Sequence, residues 1–167
     1  MKISYFNCMN GKNITHFREC FKSLINDDMV FACVGTDAVI LDSLGPMVGT
    51  MLKKRNPNLN IYGTLDDPIT GLNIRSKVKT IKKNHPNAVV IAIDACMVCD
   101  TENIHDVYLL NKPLKPGGGI DRTLPKIGNY TIKGATTHVD NQNMSNGRMR
   151  YIYNMAEQIV DIIIDSL

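Results

Sequence analysis

The chain has 167 residues, and its formal net charge at neutral pH is only +3. Hydrophobic residues make up 44% of it and charged residues 21%, which are globular proportions and exclude a disordered chain, a coiled coil and a collagen-like fibre. The small charge, the absence of Trp and an aromatic content of 6% argue against nucleic-acid binding, and no apolar run reaches the ~18 residues of a membrane span.

The predicted elements alternate between strands and helices along one domain, residues 1–167. Strands are predicted from apolar runs, and helices from apolar residues recurring every three or four positions. In chain order they are a strand over 3–6, a helix over 13–26, a strand over 30–34, a helix over 42–52, a strand over 60–62, a helix over 73–83, strands over 88–93 and 106–110, a Pro/Gly loop over 112–119, a strand over 129–132 and a helix over 148–167. This order, with strands that are apolar throughout, predicts an α/β fold: a three-layer α/β/α sandwich around a mostly parallel sheet.

The cysteines and the amino-terminal residues indicate the cellular compartment in which the protein is expected. The chain has five cysteines, an odd number, and residues 1–8 do not have the composition of a secretory signal. We therefore expect reduced thiols in a cytoplasmic protein. Cys96 and Cys99 form a C-x-x-C motif without a second such pair, which favours packed thiols over a zinc or redox site.

Two aspartates are placed where ligands bind in parallel sheets, beyond the carboxyl ends of the strands. Asp94 directly follows the apolar run 88–93, and Asp42 begins the helix after the strand over 30–34, so the loops 35–42 and 94–100 are the expected site. Two neighbouring carboxyls can share one proton and activate a water molecule, and they can equally bind a metal. The structural alternatives are that Asp42 only caps its helix and that Asp94 only orients a loop.

Five sequence blocks, taken together, point to a known family. They are FACVGTD at 31–37, DSLGP at 42–46, YGTLDDP at 62–68, AIDAC at 92–96 and PLKPGGG at 113–119. Their order resembles the YyaC-type spore proteases of spore-forming Firmicutes over about residues 31–130. That family is similar to the spore germination proteases and shares a phosphorylase/hydrolase-like α/β sandwich with the hydrogenase-maturation endopeptidases.

The resemblance implies a peptidase in which Asp42 of DSLGP and Asp94 of IDA match the two catalytic aspartates of the germination proteases. In this interpretation no cofactor takes part, and the substrates are small acid-soluble spore proteins or other spore proteins, in the forespore or mother cell. By analogy with the hydrogenase-maturation enzymes, the alternative is a divalent metal held by Asp42, Asp94 and His138. A second alternative is a non-catalytic sporulation protein that binds a peptide on the same fold. A homo-oligomer is left open.

Four further residues are candidates for substrate binding. Asp66 can extend an acidic cleft, and Asp37 can position Asp42 or a loop amide. Gly117 and Gly118 lie in a glycine run whose amides can bind an anion or a substrate backbone. The structural alternatives are a turn at Asp66 and a plain loop at the glycines.

Overall fold

The computed structural model describes residues 1–26, 28–117, 124–140 and 147–167. The elements in chain order are β1 (Lys2–Asn7), α1 (Ile14–Lys22), β2 (Met29–Cys33), a short 3₁₀ helix (Ile40–Asp42), α2 (Leu44–Arg55), β3 (Asn60–Tyr62), α3 (Ile74–Asn84), β4 (Val89–Val98), a second 3₁₀ helix (Thr101–Asn103), β5 (Asp106–Leu110), β6 (Tyr130–His138) and α4 (Met149–Ser166). Among these residues no helix is both long and apolar enough to cross a bilayer.

The six strands form one sheet in the order β1-β5-β6-β4-β2-β3. The ladders β2–β3, β2–β4 and β4–β6 are parallel, and β5 is antiparallel to both of its neighbours, β1 and β6. The central strands carry the most apolar sequences, and β2 is buried at all five of its residues. The predicted mostly parallel sheet is therefore confirmed.

Helices cover both faces of this sheet. Buried side chains of α1, α2 and α4 form one apolar cluster with alternate residues of the central strands, such as Phe31 and Ile93. Ile74 and Ile81 of α3 form the second cluster, with Ala32 and Ala92 from the opposite face of the same strands. Because side chains alternate between the faces of a strand, the apolar runs supply both clusters at once. These are the three layers expected from the sequence.

Two predicted boundaries were wrong in a way that affects the site. The sequence predicts that a strand ends at residue 93, but β4 continues to Val98, so residues 94–98 are strand rather than loop. The strand predicted over 129–132 likewise continues to His138. The two extensions pair with each other, so their ladder satisfies main-chain groups even where the sequence loses its apolar character.

Gly45, in the first turn of α2, allows that helix to pack directly on the end of β2. A Cβ at this position would lie 2.0 Å from the carbonyl oxygen of Val34. We expect Gly45→Ala to lower the free energy of unfolding by about 1–3 kcal/mol, since a rigid main-chain atom would have to move. Urea denaturation tests this, with Gly71→Ala as control because its Cβ would meet only Leu124, at 3.6 Å. Equal stability of the two variants would contradict the packing described.

Candidate active site

A cleft of about 560 Å³ opens at the carboxyl edge of the central strands. Its walls come from the ends of β2, β4 and β6 and from the segments around residues 35–42, 69–71 and 115–117. Asp42 and Asp94 both line it. The structure thus brings together the two carboxyls that sequence position singles out.

Asp94 reaches the cleft because β2 and β4 differ in length. β2 ends at Cys33, which pairs with Ile93, so Asp94 is the first residue of β4 beyond that pairing. Its side chain is only 13% exposed. Asp94 is therefore part of a strand rather than of the predicted loop, and its backbone is fixed by pairing with β6.

Asp42 is held by the turn that precedes α2. It ends the 3₁₀ helix Ile40–Asp42, and its carbonyl oxygen accepts a hydrogen bond from the Thr36 amide at 3.1 Å. Ser43 occupies the N-cap position of α2, and no side chain caps the helix there. The alternative that Asp42 is only a helix cap is therefore wrong, and its carboxyl remains available to the cleft.

Burial is the main cause that raises the pKa of both carboxyls toward neutral pH. Burial raises the pKa of Asp42 to about 6, and a hydrogen bond from the Thr36 amide to the carboxyl lowers this pKa in part. Burial also raises the pKa of Asp94 to about 7; the positive charge of Lys133 opposes this rise, and the negative charge of Asp42 adds to it. Since their charges interact, the ionisation of one carboxyl disfavours the ionisation of the other.

Lys133 is a site residue that sequence reasoning missed. It pairs with Asp94 across the β4–β6 ladder, its Nζ lies 4.0 Å from Oδ2 of Asp94, and it also lines the cleft. The signal was present, because continuing the predicted strand over 129–132 by one residue in parallel register brings Lys133 beside Asp94. The site is thus two carboxyls with one ammonium group.

Among the predicted substrate-binding residues, only Gly117 lines the cleft, where its φ of 76° needs a glycine. Gly118 lies outside the described residues. Asp37 and Asp66 are exposed and do not line the cleft. The neighbour of Asp66, Asp67, forms an ion pair with Lys77 at the surface instead.

The ligand set of the metal alternative is not assembled. His138 does not line the cleft; its Nε2 contacts the carbonyl oxygen of Cys99, and its Nδ1 accepts a hydrogen bond from the Asp140 amide. In the described ranges no three His, Cys, Asp or Glu side chains lie where they could hold a metal together. The residues present therefore do not fit a centre made of Asp42, Asp94 and His138.

Cys96 also lines the cleft, two residues beyond Asp94 on β4. Burial raises the pKa of its thiol to about 11, and the nearby Asp94 carboxylate adds to the rise. The thiol stays protonated at neutral pH, so Cys96 is not an activated nucleophile. Cys99, the other cysteine of the C-x-x-C motif, is exposed.

The raised pKa values make stability depend on pH. Between about pH 4 and pH 7 the folded protein keeps protons on Asp42 and Asp94 that the unfolded chain has released, so stability falls as pH rises through this interval. We expect Asp94→Asn to be more stable than wild type at pH 8 by about 1–3 kcal/mol, and equally stable at pH 4. Urea denaturation at both pH values measures this. If the difference in free energy of unfolding between Asp94→Asn and wild type were the same at pH 4 and pH 8, ionisation of Asp94 would not destabilise the folded protein.

Comparisons with known proteins agree with this architecture. A family model described as a protein of unknown function, DUF1256, matches residues 5–162. The uncharacterized protein YyaC of Bacillus subtilis (strain 168) is 35% identical over 164 residues, which cover 95% of this chain and 80% of that protein. The resemblance to YyaC-type proteins is thereby confirmed.

A solved structure confirms the fold. The [NiFe] hydrogenase maturation protease HycI from Thermococcus kodakarensis KOD1 superposes with a TM-score of 0.54, covering 86% of this chain and 98% of HycI, at 15% sequence identity. At that identity the similarity shows a shared α/β sandwich and no more. The family match and the YyaC relative show that the chain belongs to the DUF1256 family.

Proposed function

We propose that this protein is a peptidase in which Asp42 and Asp94 together activate water for the hydrolysis of a peptide bond. The observation that carries the proposal is the pair itself: two partly buried carboxyls in one cleft, with interacting charges and pKa values of about 6 and about 7. A general acid and a general base work best when their pKa values lie near the working pH. The similarity to a maturation protease supports a peptidase fold for this chemistry.

The pair acts in the state that holds one proton. The ionised carboxylate takes a proton from water as the water oxygen attacks the carbonyl carbon, and the protonated carboxyl donates its proton to the carbonyl oxygen. The first carboxyl then donates the proton it gained to the leaving nitrogen as the C–N bond breaks. The second carboxylate takes a proton back from a hydroxyl of the tetrahedral intermediate, which forms the product carboxylic acid and restores the starting state. Lys133, 4.0 Å from Asp94, stabilises the ionised form of Asp94 and lowers the pKa of that carboxyl.

We propose spore proteins of the small acid-soluble type as the substrates, because the blocks at 42–46 and 92–96 resemble those of the germination proteases. The relative from Bacillus subtilis supports a substrate that occurs in a spore-forming bacterium. Such a substrate is a polypeptide, which fits an open cleft wide enough for a chain segment.

Intact-mass analysis of small acid-soluble spore proteins incubated with this protein tests the proposal. We expect discrete fragments whose masses sum to the substrate plus one water, formed equally with and without chelator. The Asp42→Asn and Asp94→Asn variants should form none. Cleavage that stops with chelator would support the metal alternative, and binding without cleavage would support the non-catalytic alternative.

A further inference from the structure

One wall of the cleft is a strand with an unpaired edge. The β2–β4 ladder ends at Cys33 and Ile93, where the Val34 amide donates a last hydrogen bond, 2.7 Å long, to the Ile93 carbonyl. β4 continues for five more residues, to Val98. Over these residues β4 pairs with β6 on one side, and no described strand pairs with it on the other.

The register identifies the main-chain groups that face the open side. Along a strand, the amide and carbonyl of successive residues point alternately to its two neighbours. Ile93 bonds toward β2, and the Val98 carbonyl accepts a hydrogen bond from Val139 on the β6 side, so Ala95 and Met97 face the open side. The Ala95 amide interacts with the Asp94 carboxylate, which leaves the Ala95 carbonyl and both main-chain groups of Met97 directed to the open side.

This open edge is part of the candidate active site. Ala95 and Met97 line the same cleft as Asp42 and Asp94. The side chains of Met97 and Val139 are exposed at its rim, at 43% and 46%. A donor and acceptors in ladder geometry, beside an apolar rim, match an extended peptide, whose backbone supplies the complementary groups and whose alternate side chains meet the rim.

We propose that the cleft binds its substrate as an extended peptide segment that adds to the sheet as a strand along the free edge of β4. The segment occupies the place that a longer β2 would fill, accepting a hydrogen bond from the Met97 amide and donating one to the Ala95 carbonyl. This deepens the proposed function and rests on it, because the docked segment is the one presented to the aspartate pair. It makes the substrate an unfolded stretch of protein, with an apolar side chain against Met97 and Val139.

The first test measures peptide binding to the Asp42→Asn/Asp94→Asn double variant, which cannot consume the probe. The probe is the tightest-binding synthetic 12-residue peptide selected on this variant from a random displayed library. A set of analogues, each N-methylated at one amide, is then compared by calorimetry. Strand addition predicts that affinity falls at least tenfold at every second amide in the docked stretch and changes little at the amides between. Amide hydrogen exchange at Met97 should slow at least tenfold when the peptide binds.

A main-chain variant gives a second, independent test. Met97→Pro removes the amide that faces the open side and leaves the ladder to β6 intact, so it should lose at least tenfold in peptide affinity. Met97→Ala keeps that amide and should lose no more than a few-fold. The N-methyl series and the exchange measurement use the Met97 main chain unchanged, so they decide the matter even if the proline variant does not fold.

The outcomes separate this inference from the proposed function. Alternating sensitivity with no cleavage by the wild-type protein would support strand addition and overturn the peptidase. Cleavage without alternation, and with unchanged exchange at Met97, would overturn strand addition and leave the peptidase standing. Failure to select any peptide that binds the double variant would also overturn strand addition.

Discussion

Replacing either aspartate of the pair by asparagine is expected to lower kcat/KM for peptide hydrolysis by at least about 10³-fold. Asparagine keeps the size of the side chain but can neither hold nor accept the shared proton, so each single variant removes the acid–base function of both residues. The Asp42→Asn/Asp94→Asn double variant should therefore be no slower than the slower single variant, since residues that act as one unit are not additive. Steady-state kinetics on a cleaved spore-protein peptide measures this.

The chain offers matched controls for this experiment. Asp37 and Asp66 are exposed and lie outside the cleft, so Asp37→Asn and Asp66→Asn make the same chemical change away from the site. Both are expected to keep kcat/KM within about twofold. A large loss in either control would restore that residue to the substrate-binding role predicted from the sequence. Full activity in Asp42→Asn or Asp94→Asn would remove the pair from the mechanism.

Replacing Lys133 by methionine is expected to move the pH optimum of hydrolysis upward by about one unit. The Lys133 ammonium lies 4.0 Å from Asp94 and lowers the pKa of that carboxyl, so its removal lets Asp94 keep its proton to a higher pH. The singly protonated, active form of the pair then persists further above neutrality, and kcat/KM at pH 8 should fall less relative to its maximum than in the wild type. The measurement is the pH profile of kcat/KM.

Two further variants distinguish a charge effect from a packing effect. Lys133→Arg keeps the positive charge and should keep the wild-type pH optimum. If Lys133 acted only through packing, both Lys133→Met and Lys133→Arg would lower kcat/KM without moving the optimum. Lys126→Met removes one positive charge at an exposed position outside the cleft and should leave the profile unchanged. A Lys133→Met profile with lower activity but an unmoved optimum would show that Lys133 does not set the acid strength of the pair.

Much of the fold could be predicted from local sequence because its central strands are buried on both faces. The predicted strand over 30–34 matches β2 to within one residue at each end, and the strand predicted over 88–93 begins one residue before β4. The ends of β4 and β6 could not be predicted from composition. Asp94, Cys96 and Lys133 interrupt the apolar runs, and only the pairing of the two strands keeps these residues in the sheet.

The same reason explains which parts of the site were predicted. Asp42 and Asp94 could be singled out by position because each comes after an apolar run in the sequence that forms a buried stretch of strand. The position of Lys133 beside Asp94 and the open edge of β4 depend on how far β4 extends beyond β2 and how it pairs with β6. These are relations between strands that are distant in sequence. The position of Asp66 outside the cleft could not be predicted, because an acidic turn near a strand end has the same local pattern whether or not it faces the cleft.

Carbon-13 NMR of the aspartate carboxyl carbons between pH 3 and pH 9 measures whether Asp42 and Asp94 share one proton at neutral pH. We expect two carboxyls that titrate as a coupled pair, with apparent pKa values near 6 and 7. That coupled titration should disappear in Asp42→Asn and in Asp94→Asn. If all aspartates, including these two, titrated below about pH 5, as unperturbed side chains do, the pair would be fully ionised at neutral pH and a shared proton would be ruled out.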